Sequence, residues 1–318
     1  MTSLPKTLHF QVSFRSFLWL SAYFVLAMVL IWQAFLPFFA ERHYRDAYVF
    51  EAQKRLFFAV DEYERAVADA PWETQYIIDL SKAYADYGMQ QQDREQKLLY
   101  LNKAVEQSQL AIDYDIKNPW FKNRLATIYL SLSDVEPVNR DLYIQKAKDL
   151  TFQAQENDAK NPLFKLNMAY FYNRYGDLNK AMVFYKKAID LDEFMPEPRL
   201  NLIEIYRQQG NIPAFLEQLT LLEQKSPGYP NVNLIIASQF IELNHKTKDN
   251  AYLQKAAFYL EKHKHIDPVN VDALRNLVAI YYQLNQKQNA IKNFEHIAQY
   301  APALMAQYRP LYQQTLNQ

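Results

Sequence analysis

Six histidines, His9, His43, His245, His263, His265 and His296, are the residues of this chain best suited to metal ligation or to proton transfer near neutral pH. No two of them stand in the His-Glu-x-x-His spacing that would put a pair of imidazoles and a general base on one helical turn. His263 and His265 are two residues apart, so on a helix they point to different faces. With Lys262 and Lys264 beside them they read as a solvated basic patch. The acid pair Asp190 and Asp192 falls at a predicted helix end and reads as surface. The chain has no cysteine, which excludes disulfides, thiolate nucleophiles and cysteine-ligated zinc. With only 4 glycines, and neither a Gly-x-Ser-x-Gly elbow nor a Walker sequence, it lacks the loops that cradle phosphates or expose a serine nucleophile. Lys+Arg and Asp+Glu number 35 each, so there is no basic footprint for nucleic acid. The expectation is a protein with no catalytic residues, no cofactor, no metal and no nucleic-acid partner.

The elements that could position anything else begin with one long apolar run. From Ser16 to Ala40 there is no charged residue; Arg15 precedes it and Glu41-Arg42 follows. As a helix rising about 1.5 Å per residue it reaches roughly 37 Å, enough for a hydrocarbon core of about 30 Å. Trp19 and Trp32 lie toward its ends, where amphipathic rings favour the headgroup region. Pro37 lies near the far end, where a kink costs less than at the centre. A cleaved signal peptide would have a shorter apolar core followed by a small-x-small site, and Phe38-Phe39-Ala40 lacks the first small residue. The run therefore reads as an uncleaved single-pass anchor. Counting Lys and Arg alone puts the flank carrying Arg42, Arg45, Lys54 and Arg55 inside; a short basic N-terminus with Lys6 and Arg15 is that of a signal anchor and puts the large domain outside. The expectation adopted is a bacterial cytoplasmic membrane location with the large domain outside the cytoplasm.

Beyond the run the sequence repeats itself. Asn161 to Glu193 reads as two amphipathic helices around Gly176-Asp177, with Asn161 as N-cap, Pro162 as first helical residue, Gly176 as left-handed C-cap and Asp177 as the next N-cap. Met168, Ala169, Tyr172, Gly176, Ala181, Tyr185 and Ala188 recur as a pattern of large, small, aromatic and turn residues. The segment closely resembles the tetratricopeptide repeat (TPR), in which small residues let two helices approach and aromatic rings fill the space between hairpins. Its last patterned position recurs at Pro71, Ile116, Ala159, Glu193, Pro227, Pro268 and Pro302, giving spacings of 45, 43, 34, 34, 41 and 34. Three spacings equal the 34-residue period of the family. The excess in the others falls around Met89 to Leu98, Ser133 to Leu142 and Asn244 to Ala251, the turns between the two helices of a hairpin, and is expected to form loops there. Gly88, Gly176 and Gly210 share the turn position, and Asn285 takes it in the last repeat. Ser108 replaces the second aromatic in one hairpin; Phe215 and Leu222 replace the alanines in another.

The resemblance implies an all-α fold: one transmembrane helix (16–40) after a short tail (1–15), then a right-handed α-solenoid of about seven helical hairpins (41–302) and a capping helix (303–318). It also implies a concave groove lined by the first helices. The family's inward positions fall here on Trp120, Asn123, Leu166, Tyr170, Asn173, Arg174, Glu204, Arg207, Glu242, Arg275 and Tyr282. Aromatic anchors mixed with charges suit an extended or helical peptide. The Lys/Asn/Arg carboxylate clamp of chaperone-binding members is not found. The absence of cysteine also departs from the lipopolysaccharide-assembly TPR proteins, which end in a Cys-rich metal module.

Two function readings follow. The first is a membrane-anchored, non-enzymatic scaffold that recruits a protein or peptide partner in bacterial envelope assembly. The second rests on the junction LPFFAERHYRDAYVFEAQKRLFF and the Ala70-Pro71-Trp72-Glu73 turn after it, which resemble the C-terminal end of O-antigen ligase or polymerase-type membrane proteins. That likeness implies an accessory or split part of a glycan-assembly system, with a multi-span membrane protein as partner.

Overall fold

The structure, a computed structural model, describes residues 14–305 together with Pro310 and Gln313. Among the described residues it is all-α, with fourteen α-helices packed as consecutive pairs. The expected capping helix over 303–318 lies mostly outside the described residues.

The chain divides into two compact units, residues 1–159 and 160–318. In the first, α1 (Phe14–Ala52) pairs with α2 (Leu56–Asp69), α3 (Thr74–Gln90) with α4 (Arg94–Tyr114), and α5 (Pro119–Val135) with α6 (Arg140–Asn157). In the second, α7 (Pro162–Arg174) pairs with α8 (Leu178–Leu191) and α9 (Pro196–Gln209) with α10 (Ile212–Lys225). There α11 (Val232–Thr247) pairs with α12 (Asn250–Ile266) and α13 (Val271–Gln283) with α14 (Lys287–Tyr300).

Local chemistry fixes the helix starts. Asp93, Asn118, Asn161, Asp177, Asn211, Asp249 and Asn270 each accept a hydrogen bond from a backbone N–H in the first turn they precede, filling a donor the helix leaves open. Proline opens α5, α7 and α9, where its missing N–H costs nothing. Gly176 (φ 84°), Gly210 (φ 70°) and Asn285 (φ 55°) take the left-handed turn that the sequence assigns to this position.

Gly88 does not. It lies inside α3, which continues to Gln90, and its role is space: a Cβ there would stand 2.9 Å from the Cβ of Tyr100 on α4. The expected loops are corrected by the same region. α3 and α4 are 17 and 21 residues long, α5 and α6 17 and 18, and α11 and α12 16 and 17, against 13 or 14 in the other hairpins after α2. The extra residues extend the helices, because an added helical turn satisfies its own backbone and lengthens a packed seam, whereas a loop does neither. Aromatic pairs line the lengthened part: Tyr87 against Tyr100 at 4.7 Å, and Tyr129 stacked on Tyr143 at 5.9 Å.

The cores follow the repeat. Ala59, Tyr63, Ala83, Leu101 and Ala104 are buried in the first unit, and Ala169, Ala181, Tyr185, Ala188 and Ala256 in the second. Trimming a fully buried ring such as Phe294 to alanine would cost about 3–5 kcal/mol. Where Ser108 replaces an aromatic, the small residue facing it is Ser81. The two hydroxyls lie 2.6 Å apart, and Ser81 also donates to the Ala104 carbonyl at 2.7 Å. Phe215 and Leu222 are both fully buried.

α1 is the only described helix long and apolar enough to cross a membrane. Its side chains from Trp19 to Phe35 are open, and burial begins at Ala40. The helix does not break there; it runs unbroken into the first hairpin. Pro37 lies inside it and cannot donate to the carbonyl of Gln33, four residues earlier.

Candidate functional site

In the first unit, α3 and α5 are the first helices of neighbouring hairpins, and a cleft of about 590 Å³ opens between them. Glu73, Thr74, Gln75, Ile78 and Asp79 form one wall; Asn118, Trp120, Phe121, Asn123, Arg124 and Thr127 form the other. Asn118 caps α5 through the N–H of Trp120, which fixes the start of that helix, and the indole is 49% exposed. Asp79 accepts hydrogen bonds from the Tyr44 hydroxyl and from Gln75 Nε2, both at 2.8 Å. Tyr44 in turn stacks on Tyr76 at 4.5 Å, and Tyr76 donates to Glu41 at 2.8 Å. Desolvation and the bond to Glu41 push the Tyr76 hydroxyl up to about 12, so it stays a donor at any physiological pH. Farther along the same face, Lys82 pairs with Glu51, which also accepts from Tyr63. A flat aromatic ring, one guanidinium and a pre-oriented carboxylate thus share one open cleft. Such a surface can hold a peptide through stacking and charge-assisted hydrogen bonds.

In the second unit, three of the expected residues meet. Arg207 on α9 binds Glu204 through two nitrogens at 2.9 and 2.5 Å and reaches Glu242 on α11 at 2.5 Å. The hydrogen bond from Arg207 holds Glu204 below the usual carboxylate range against the opposing effect of desolvation. The same bond raises Arg207. Tyr170 is half open, its ring edge-on to buried Tyr185 at 6.0 Å. Arg174 is exposed and lies 5.9 Å over the Tyr175 ring; Asn173 and Tyr282 are half-buried. Arg275 pairs with Asp272 at 3.1 Å on the surface.

Leu166 is a correction. It is 5% exposed and belongs to the apolar core with Leu202 and Ile203, since a leucine at that position gains more by packing on the next hairpin than by facing water. The basic patch is corrected in part: His263 is 4% exposed and Lys264 donates to Asn293 at 2.8 Å, whereas Lys262, paired with Glu223 at 2.7 Å, and His265 are exposed. Among the described residues no three His, Asp or Glu side chains come together as a metal-binding group.

Tyr44, Gln75, Asp79 and Arg124 were not among the expected site residues. Part of the signal was available, because the family's inward positions applied to the first two hairpins give Tyr44, Gln75 and Lys82. Asp79 and Arg124 fall one residue outside those positions and reach the cleft only through the way α3 and α5 pack.

No family model matches the sequence, and no curated protein does. Solved structures do match the fold. The crystal structure of yeast Tom70 is 17% identical with a TM-score of 0.52, the match covering 82% of this chain and 49% of that one. A thermophilic TPR protein from Thermus thermophilus is 20% identical over 64% of this chain and 99% of its own, with a TM-score of 0.49. A tetratricopeptide repeat protein from Parabacteroides merdae is 14% identical over 87% and 98%, with a TM-score of 0.48. The fold, a stack of antiparallel helical hairpins, is the architecture that the tetratricopeptide-repeat resemblance implies. The likeness of the anchor junction to O-antigen ligases gains no support from these comparisons.

Proposed function

We propose that the chain is a membrane-anchored, non-enzymatic adaptor. On this reading α1 holds it in a bacterial cytoplasmic membrane, and the face formed by the first helices binds an extended or helical segment of a partner protein. The observation that carries the reading is the Trp120–Arg124–Asp79 cleft. It is open and combines polar and charged side chains with Trp120, Phe121 and Ile78, and it lies in the same compact unit as an exposed apolar helix. Anchoring would raise the partner's local concentration at the membrane without any new contact. Placement of the hairpins outside the cytoplasm, and service in envelope assembly, belong to the same proposal; Asn123 is part of the first unit's cleft, and Tyr170, Asn173, Arg174 and Tyr282 would offer a separate binding face within the second unit.

Two experiments test it. A photo-crosslinking residue at Thr127, in full-length protein in native membranes, should give a discrete adduct that disappears in the Trp120→Ala variant. An adduct that persists unchanged in that variant, or none at all, would remove the cleft as the binding site. Gly228→Cys, in an exposed inter-hairpin turn with no other cysteine in the chain, reports topology. Labelling of intact spheroplasts by an impermeant maleimide puts the hairpins outside; labelling only after lysis puts them inside and ends the extracytoplasmic reading.

A further inference from the structure

The first hairpin brings the end of α2 back beside the point where α1 stops being lipid-like. The switch on α1 is abrupt: Phe38 is 63% exposed, Ala40 is fully buried, and Glu41 and Arg42 are the first charges after the apolar run. Because α2 runs back along α1, its end returns to this level. His43 Nδ1 lies 2.5 Å from Glu62, and its Nε2 lies 4.0 Å from Asp69, the last residue of α2. The Ala70–Glu73 turn follows at once, and one helical turn later Tyr76 donates to Glu41. The turn is thus pinned beside residues 41–43 from both sides.

At its tip is Trp72, 57% exposed. The next inter-hairpin turn is adjacent, since Glu73 and Thr74 share a cleft wall-to-wall with Asn118 and Trp120. That turn exposes Ile116 at 69% and Tyr114 at 54%. The chain has four tryptophans: Trp19 and Trp32 are in the apolar stretch of α1, and Trp72 and Trp120 are at this edge of the first unit. An indole is the side chain best suited to a headgroup region, having an apolar body and one N–H donor. Charges around the turns are of both signs, Glu41, Asp69, Glu73 and Asp115 against Arg42, Arg45 and Lys117, so anionic lipid is not what the edge selects.

We propose that this edge, with Trp72 at its centre and Ile116 and Tyr114 beside it, sits in the headgroup region of the bilayer that α1 enters. The occupant is the lipid surface itself. Contact there fixes the stance of the first hairpins, so that the cleft between α3 and α5 is held at a set height and angle over the membrane. The inference rests on the anchor reading of α1.

Its test keeps the two apart. The full chain is reconstituted in phosphatidylcholine vesicles as three variants with a single tryptophan, the remaining indoles changed to phenylalanine. They retain Trp72, retain Trp32, or carry Phe57→Trp at the opposite end of the hairpin, where Phe57 is 59% exposed. Phospholipids brominated at shallow or deep acyl positions serve as quenchers, and circular dichroism checks that each variant is folded. The expected result is that Trp72 is quenched by lipid, more by shallow than by deep bromines. Trp32 should be quenched from within the bilayer, and the indole at 57 by aqueous iodide alone. Quenching of Trp32 without quenching of Trp72 overturns the inference and leaves the anchor standing. Equal lipid quenching at 72 and 57 also overturns it, because the edge would then be no different from the far end. If Trp32 is not quenched by lipid, the anchor reading fails and the inference fails with it.

Discussion

Arg207 on α9 and Glu242 on α11 meet at 2.5 Å across two successive hairpins, while Arg207 also grips Glu204 on its own helix. The three form one charge network on a half-open face. Arg207→Ala should cost no more than about 1 kcal/mol, and a double-mutant cycle with Glu242→Ala should return a coupling of about 0.5–1 kcal/mol, since a partly exposed pair is screened by water. The sign of the acid response follows from Glu204. Its folded-state pKa is depressed, so its contribution is present above the ordinary carboxylate value and is lost as pH falls through the lower folded value. Urea midpoints measured between neutral and acid pH should fall more steeply in the wild type than in Arg207→Ala. Parallel curves would show that the network carries no stability.

Two glycines at one repeat position should behave oppositely. Gly210 has φ 70° and open space around it, so Gly210→Asn should be nearly neutral, as Asn285 is at the same position. Gly88 has a helical backbone but no room beside Tyr100, so Gly88→Ala should destabilise by about 1–3 kcal/mol even though alanine is the better helix former. Thermal melts of the two variants decide this; a stabilised Gly88→Ala protein would mean that α3 and α4 separate without cost.

The Ser81–Ser108 pair predicts non-additivity. Ser81 donates to the Ala104 carbonyl, so Ser108 must donate to Ser81. Either alanine substitution leaves a buried polar group short of a partner and should cost about 1–2 kcal/mol. The double substitution should cost less than the sum of the two. A sum that is simply additive would show that the hydroxyls act independently.

Tyr281 and Glu261 repeat the relation of Tyr84 and Glu64: in each case the tyrosine at one position of a first helix donates to a carboxylate 20 residues earlier on the preceding helix. Tyr281→Phe should loosen the last hairpin by about 1 kcal/mol. Hydrogen exchange should then speed up in α13 and α14 while α1 to α6 keep their protection. Uniform acceleration along the chain would contradict a local stitch.

Trp120→Ala and Arg124→Ala test the cleft by affinity rather than stability. Both side chains are at least partly open, so melting should change little. Binding of the partner captured at Thr127 should fall by about tenfold or more if the indole is an anchor. An unchanged affinity in both variants would move the search to the Glu204–Arg207–Glu242 face.

Much of the chain could be read without coordinates because its scarce residues are positional. Proline and asparagine mark helix starts, Gly176, Gly210 and Asn285 mark left-handed turns, and Ala169 and Ala181 mark where two helices touch. Each of these is a local requirement of one backbone position, so one residue suffices to state it. The uncharged run of α1 is equally explicit, because length and polarity alone decide whether a helix suits a bilayer.

What the tertiary structure decided is everything that depends on who sits opposite. Gly88 looked like its neighbours in the repeat and proved to be a contact glycine, because Tyr100 faces it. Ser108 looked like a lost aromatic and proved to be half of a hydrogen-bonded pair. Leu166 looked like groove and proved to be core, and the three insertions became helix instead of loop. The same holds for Asp79 and Arg124, which enter the cleft from positions that no repeat pattern marks. Spacing along the chain fixes which turn a residue belongs to; only packing fixes the neighbour across the seam, and it is the neighbour that sets burial, charge pairing and access.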